Sequence, residues 1–395
     1  MIRFFVLILL FFLPICLSAQ VGLQTENVLG VQELVRDIFI KGSCRNVSSI
    51  SGIGDETISR GEFSNAANIL DIGNGIILST GNIALAQGPN RDNEASQSLD
   101  VISNDPDLTR LATGTLYDVA GIEFDFVPLN NRVTFEYVFA SEEYCEFVGT
   151  QFNDVFGFFV SGPGINGTFA NNAINLATLP GTSDDVSINT INHLLNERFY
   201  INNGTNVNST GDCGIITRPA APELIEFDGY TVPLLATLEV IPCETYHIRL
   251  VIGDVGDARL DSAVFLESNS FDLGEPISVR AEVEGTDEAI AFESCVDGRF
   301  VFTRSVFNNI NEDFLVEFNI SPQSSAVMGV DYVDIPLSVV IPAGETFVAL
   351  PIEIIEDNII EGPESIMLEL VYECDCIDPT SVSYTHLTLP TICSV

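Results

Sequence analysis

Apolar residues return at every second position along much of this chain, and that period constrains its fold more than any other feature. Val133, Phe135, Tyr137 and Phe139 follow it, as do Tyr246, Ile248, Leu250 and Ile252. Farther on, Phe314, Val316, Phe318 and Ile320 repeat it, then Ile366, Leu368, Leu370 and Tyr372. Successive side chains of a strand point to opposite faces, so period two marks strands with one buried face. Ile122-Glu123-Phe124-Asp125-Phe126 alternates apolar with acidic, and Pro128-Leu129-Asn130-Asn131 supplies a turn. That segment and 133–139 are therefore expected to form a hairpin. His247 and Arg249 fall on the polar face of their strand. Helical spacing is clear once, in Val31–Ile40, where Leu34, Val35, Ile38 and Phe39 share a face. The expected fold class is all-β: an N-terminal β-sandwich-like domain with one or two short helices, then a second sandwich.

Charge narrows the partners. The 395 residues carry 15 basic and 56 acidic side chains, a formal net charge of −41. Such a surface repels phosphate backbones and anionic lipid, which argues against nucleic acid and membrane surfaces. A hydrophobic content of 46% and a mean hydropathy of +0.30 mark a chain that buries a core, not a disordered acidic tail. At about 150 residues per domain the length allows two or three domains.

Residues 1–19 read as a signal peptide. Arg3 is the positive start, Phe4 to Leu13 is an apolar run, and Leu17-Ser18-Ala19 offers small residues for cleavage. The run is too short for a membrane span, and no later stretch reaches about 18 apolar residues. Export makes disulfides the expected state of the cysteines. Two bridges are expected among Cys44, Cys145, Cys213 and Cys243, and one from Cys295 to Cys374 or Cys376. No CxxC occurs, so a zinc pair has no support. Gly, Pro and acidic residues crowd 272–287, which places a linker there. The domains expected are 20–271 and 288–381. Val382 to Thr391, VSYTHLTLPT, resembles a translated transposase-end sequencing adaptor, so 382–395 is read as an artefactual tail outside the fold.

Three separated motifs carry a family resemblance. They are GIILSTGN at Gly75 to Asn82, YVFASEEYCEFVGTQFNDVFGFFVSGPGING at Tyr137 to Gly167, and IPCETYHIRLVIGDVGDARLDSAVFLES from Ile241. Together they resemble the choice-of-anchor L family over roughly residues 23–271. That resemblance implies a secreted or cell-surface bacterial protein, often exported by type IX secretion, with no defining enzymatic activity. The second region resembles a Calx-β domain. Its motifs are Gly329-Val330-Asp331-Tyr332, Ile341-Pro342-Ala343-Gly344-Glu345, and IIEDNIIEGPESIMLEL from Ile354. This implies an immunoglobulin-like sandwich, incomplete here, and calcium on Glu356, Asp357, Glu361 and Glu364, with Asp331 and Glu293 as more distant matches. Asn358 stands where a third acid is common.

Calcium wants six to eight oxygens, and clustered carboxylates repel one another without it. In the first domain Asp254, Asp257 and Asp261 form one acidic set, and Glu142, Glu143 and Asp154 another; neither has the spacing of an EF-hand loop. Catalytic signals are poor. Gly162-Pro163-Gly164-Ile165-Asn166-Gly167 fits GxGxxG but opens no helix, so a tight loop is expected. No GxSxG, HExxH or P-loop occurs, and His247 reads as a structural hydrogen-bonder. Glu142 and Glu143, as strand neighbours, would face opposite ways.

The leading reading is a non-catalytic secreted or cell-surface β protein for cell adhesion or matrix contacts, stabilised by calcium, with an extracellular protein or glycan as ligand. An alternative is the glycan-binding module of a larger exported hydrolase, using Phe147, Phe152 and Tyr200 as exposed aromatics. A third, a carboxylate-dependent glycosidase, requires a concave groove lined by two acids and aromatics.

Overall fold

The computed structural model describes residues 22–204 (apart from 43 and 93), 223–283, 298–305, 310–355 and 364–371, with the backbone of 372 and 381–389. The signal peptide lies outside the described residues. The architecture is mostly antiparallel strand, and two sheets make the first sandwich.

One sheet runs through Arg60–Ser64, Gly75–Ser79, Ser262–Glu267 and Arg132–Ser141, with Leu234–Glu239 paired to the far side of Arg132–Ser141. The other runs through Val47–Ile53, Leu116–Phe126, Tyr246–Val255 and Val155–Ser161. Between them lies the main core, with Ile76, Leu78, Phe135 and Phe139 from one sheet and Ile122, Phe124, Leu250 and Phe158 from the other. The first sheet is covered on its outer face too, where Ile77, Val138 and Phe265 pack on Ile69, Leu70 and Phe227. Burial on both faces explains why Gly75–Ser79 and Ser262–Glu267 are buried almost throughout, while Leu234–Glu239 alternates.

The expected hairpin is not one. Leu116–Phe126 and Arg132–Ser141 belong to different sheets, so the turn between them carries the chain across the sandwich. Period two fits either arrangement. What decides is aromatic packing: Phe124 and Phe135 face each other across the core, and Phe271 sits between them at centroid distances of 5.3 and 5.5 Å. Phe39 meets both, edge-on to each ring. It is placed there by the expected helix, which starts as an α-turn at Val31–Glu33 and widens into a π-helix over Leu34–Phe39. Ile40 N–H reaches back to the Val35 carbonyl at 3.1 Å, the wider spacing that turns Phe39 inward.

Acidic alternation is also accounted for. Glu123 and Asp125 stand directly opposite Arg249 and His247 on the neighbouring strand. His247 Nδ1 and Asp125 Oδ1 are 2.8 Å apart. Arg249 holds Glu123, Asp107 at 2.6 Å and Asp105.

The stretch read as a linker is largely structured. Phe271 and Leu273 are core residues of the first sandwich, and Leu129 N–H donates to the Leu273 carbonyl at 2.7 Å. Ile277–Val283 is already a strand of the second unit, paired with Gly298–Arg304. Proline and glycine there mark the short passage between units, not its full length. The second unit also has two sheets: Ile277–Val283, Gly298–Arg304 and Phe347–Ile352, against Ser338–Ile341, Phe314–Ile320, Glu364–Tyr372 and Ser381–Leu389. Phe302 stacks on Phe318 at 5.2 Å within their shared core. The tail departs from expectation here. Ser381–Leu389 pairs with Glu364–Tyr372 over nine residue pairs, because its alternating, β-branched sequence can add to an open strand edge whatever its origin.

Candidate functional site

Four strand ends of the first sandwich bring its acids together. Glu142 and Glu143 follow Arg132–Ser141 in a turn, Asp154 precedes Val155–Ser161, Asp254 closes Tyr246–Val255, and Asp261 precedes Ser262–Glu267. The two acidic sets of the sequence are thus one cluster. Glu142 and Glu143 are not strand neighbours facing apart. Ser141 Oγ accepts the Glu143 N–H at 2.9 Å and the Asp261 carbonyl accepts that of Glu142 at 3.1 Å, and both glutamates line one cavity.

That cavity encloses about 590 Å³. Six of its lining residues are acids: Glu142 and Glu143 in the floor, and Glu94, Asp100, Glu146 and Asp257 around them. Arg259, exposed at the rim, is the one cation among the described lining residues. Phe147 and Phe152 form one wall, edge to face at 5.7 Å. Tyr200, expected as a third exposed aromatic, is instead 4% exposed and packs on Tyr144 at 4.8 Å.

Burial without counter-charge dominates the electrostatics. Asp154 accepts from Val255 N–H at 3.0 Å and Ser262 Oγ at 2.7 Å, yet burial still pushes its carboxyl up. Asp254, fully buried beside it, is raised by burial and by the Asp154 charge. Burial and then Asp154 push Glu143 up to about 10, and burial takes Asp261 to about 6 although Ser96 and Gln97 donate to it. Glu142 is raised well above the carboxylate range by burial and then by Asp228 and Glu226. It is 2% exposed, and its Oε2 has no hydrogen-bond partner. Behind it, Asp228 is pushed up to about 7, again chiefly by burial.

Among the described residues, no group of three or more His, Cys, Asp or Glu is arranged to hold a metal ion. Of the calcium residues expected in the second unit, Glu293, Glu356, Asp357 and Glu361 lie outside the described residues. Asp331 Oδ2 accepts from Val327 N–H at 2.6 Å, and its carbonyl accepts from Ile355 N–H at 3.0 Å, while Glu364 opens the strand Glu364–Tyr372. Cys44, Cys145 and Cys243 are disulfide-bonded; Cys213, Cys295, Cys374 and Cys376 lie outside the described residues. Gly162 begins a tight loop, with Ile165 N–H on its carbonyl at 3.1 Å. Sequence reasoning missed Glu94, Asp100, Glu146, Glu226, Asp228 and Arg259, which sit in loops without periodicity and carry no local signal.

No helix among the described residues is long and apolar enough to cross a membrane. A family model described as choice-of-anchor L domain matches residues 23–272, the whole first sandwich. Among solved structures, the crystal structure of the apo-form Calx CBD1 domain is 19% identical, covers 29% of this chain and 96% of that chain, and has a TM-score of 0.21. The search of curated proteins finds no match.

Proposed function

The chain belongs to the choice-of-anchor L domain family, and on that footing we propose that it is a non-catalytic β protein of the cell surface or secreted fraction, making adhesive or matrix contacts. The observation that carries this reading is the cavity: a recess at one end of a rigid sandwich, inside the family-matched region, with two aromatics and a charged rim. Rigid strands presenting ligand groups from their connecting loops are a common plan for binding domains. Export through residues 1–19, by type IX secretion, delivers the protein to an extracellular protein or glycan ligand. Calcium stabilises the second unit through Glu356, Asp357, Glu361 and Glu364, with Asp331 and Glu293 in support. In favour of this, the Asp331 carbonyl contacts Ile355, immediately before Glu356.

Protease treatment of intact cells producing a tagged full chain tests the location. Digestion of the chain with cytoplasmic markers spared is expected, and complete protection would overturn the reading. A matched strain without the protein should attach less to the surface it colonises.

A second reading is favoured by the same cavity, since two acids and aromatics in a recess are what a carboxylate-dependent glycosidase requires. Weighing against it, burial raises both acids of the recess, Glu142 and Glu143, and no lysine or arginine among the described residues pairs with either to keep one ionised at neutral pH. Release of nitrophenol from aryl glycosides, abolished by Glu143→Gln, would establish hydrolysis in place of binding.

A further inference from the structure

We infer that the acidic cavity takes a positively charged organic group on a flexible stem, the arginine or lysine side chain of a basic peptide segment in another protein, with Glu142 as its innermost partner. This rests on the binding reading above and names the ligand class of that site.

The sign of the charge comes first. Six acids and one exposed arginine line the recess, on a chain of net charge −41, so the field favours cations on approach and inside. The chain's own cations are few, and several are already engaged. Lys41 is held by Asp272, Arg249 by Asp105, Asp107 and Glu123, and Arg299 by Glu282. Arg259 at the rim is the one cation of the chain among the described lining residues, so most of the counter-charge for the cavity has to arrive from outside.

The second observation is Glu142 itself. A buried polar atom without a partner is costly, and Glu142 Oε2 is such an atom in the lining of a recess. A guanidinium or ammonium completing it would gain a charge-assisted hydrogen bond away from bulk water.

Shape separates an organic cation from a bare ion. No three acidic side chains among the described residues stand around a common point, as a divalent ion would need. An arginine or lysine needs only one or two carboxylates and an aromatic face, and Phe147 with Phe152 supplies the face. Because Glu142 is 2% exposed, the charge must reach it on a narrow apolar stem, which both side chains have and an amino sugar, with its ammonium on the ring, lacks. A volume of about 590 Å³ suits a side chain with its flanking backbone.

A proton signature follows. Burial raises the carboxyls of Glu142 and Glu143 above their ordinary range, and an arriving cation favours their ionised forms. Binding should therefore release protons and tighten as pH rises from 5 to 8.

Isothermal titration of the full chain with acetyl-Gly-Arg-Gly-amide tests this, alongside the citrulline peptide that keeps the shape and loses the charge. The arginine peptide should bind at least 10-fold tighter than the citrulline one, with a heat that depends on the buffer's ionisation enthalpy. Glu142→Gln should weaken it at least 10-fold and diminish the proton release, while Glu244→Gln, at an exposed site elsewhere, should not. If Glu142→Gln does not fold, Asp257→Asn at the exposed rim should still weaken binding about threefold. Equal affinity for both peptides overturns the inference, and so does one equivalent of calcium chloride binding and blocking the peptide. Binding of neutral chito-oligosaccharide in place of the peptide also overturns it. In each of these cases surface exposure and attachment of cells would persist, so the ligand class would fail without the broader reading.

Discussion

Replacing Asp228 with Asn should stabilise the first sandwich, and more so at pH 7 than at pH 5. Asp228 is 2% exposed; its Oδ1 accepts from Asn90 Nδ2 at 2.8 Å and its Oδ2 has no partner. Asparagine keeps the acceptor and removes the charge beside Glu142 and Glu226. In the unfolded chain this carboxyl titrates at 3.8, and in the fold burial, followed by the Glu146 and Glu226 charges, pushes it up to about 7. Between those values the folded state holds a proton that the unfolded state has released, so stability falls as pH rises. Each pH unit costs about 1.4 kcal/mol until the folded group begins to ionise, giving about 2 kcal/mol between pH 5 and 7. Asparagine does not titrate, so the variant's advantage should grow by that amount over the interval. At roughly 2–4 °C per kcal/mol for a unit of this size, the difference in Tm should widen by roughly 5 °C. Scanning calorimetry of both proteins at the two pH values reads it directly. An advantage of equal size at pH 5 and 7 would refute the argument, because it would mean Asp228 is already ionised in the fold at pH 5.

Other perturbations follow from single contacts. Arg249→Met should cost about 3 kcal/mol or more in denaturant unfolding, since it strands the carboxylates of Asp105 and Asp107, which are 6% and 2% exposed on their side chains; a loss under 1 kcal/mol would show that those acids find other partners. Melting curves of the second unit should rise in millimolar calcium by about 1 kcal/mol, the linkage expected of an extracellular-type site, and coincide with the chelator curve for the Glu361→Gln, Glu364→Gln double variant. A chain stopped at Thr380 should melt lower than the full chain, because Glu364–Tyr372 loses its nine-pair neighbour and becomes an open edge. An unchanged Tm would restore the reading of that tail as a passenger.

Strands were legible from period two, and so was a helix over Val31–Ile40 from the spacing of Leu34, Val35, Ile38 and Phe39, though not its widening into a π-helix. Pairing was not. Leu116–Phe126 and Arg132–Ser141 look like a hairpin because the sequence between them is turn-rich, and turn chemistry does not say whether the chain doubles back within a sheet or crosses to another. The crossing is fixed by Phe39 and Phe271, some 230 residues apart, closing over Phe124 and Phe135. The linker was misplaced for a related reason: Gly274 and Pro276 mark a change of direction, and the glycine, proline and acidic residues around Ile277–Val283 drew more weight than the alternation of Ile277, Val279, Ala281 and Val283 within it.

The cavity was less legible still, and the reason is physical. Most of its acids sit at strand ends or in the loops between strands, where an acidic residue ordinarily means a solvated turn. Glu143 and Asp154 are close in sequence, but Asp254 and Asp261 come from the far end of the domain. They meet because the neighbouring strands Arg132–Ser141 and Ser262–Glu267 and the facing pair Val155–Ser161 and Tyr246–Val255 all bring an end to the same edge of the sandwich. Backbone donors and hydroxyls then satisfy Asp154 and Asp261, and leave Glu142 without an equivalent for Oε2. A fold seeking only stability would place an apolar side chain at that position, since 2% exposure gives a carboxyl nothing to gain from water. The arrangement makes sense if the missing partner comes from another molecule: Asp228 and Asp254 also keep carboxyl oxygens without a partner, but neither lines the recess, whereas Glu142 does.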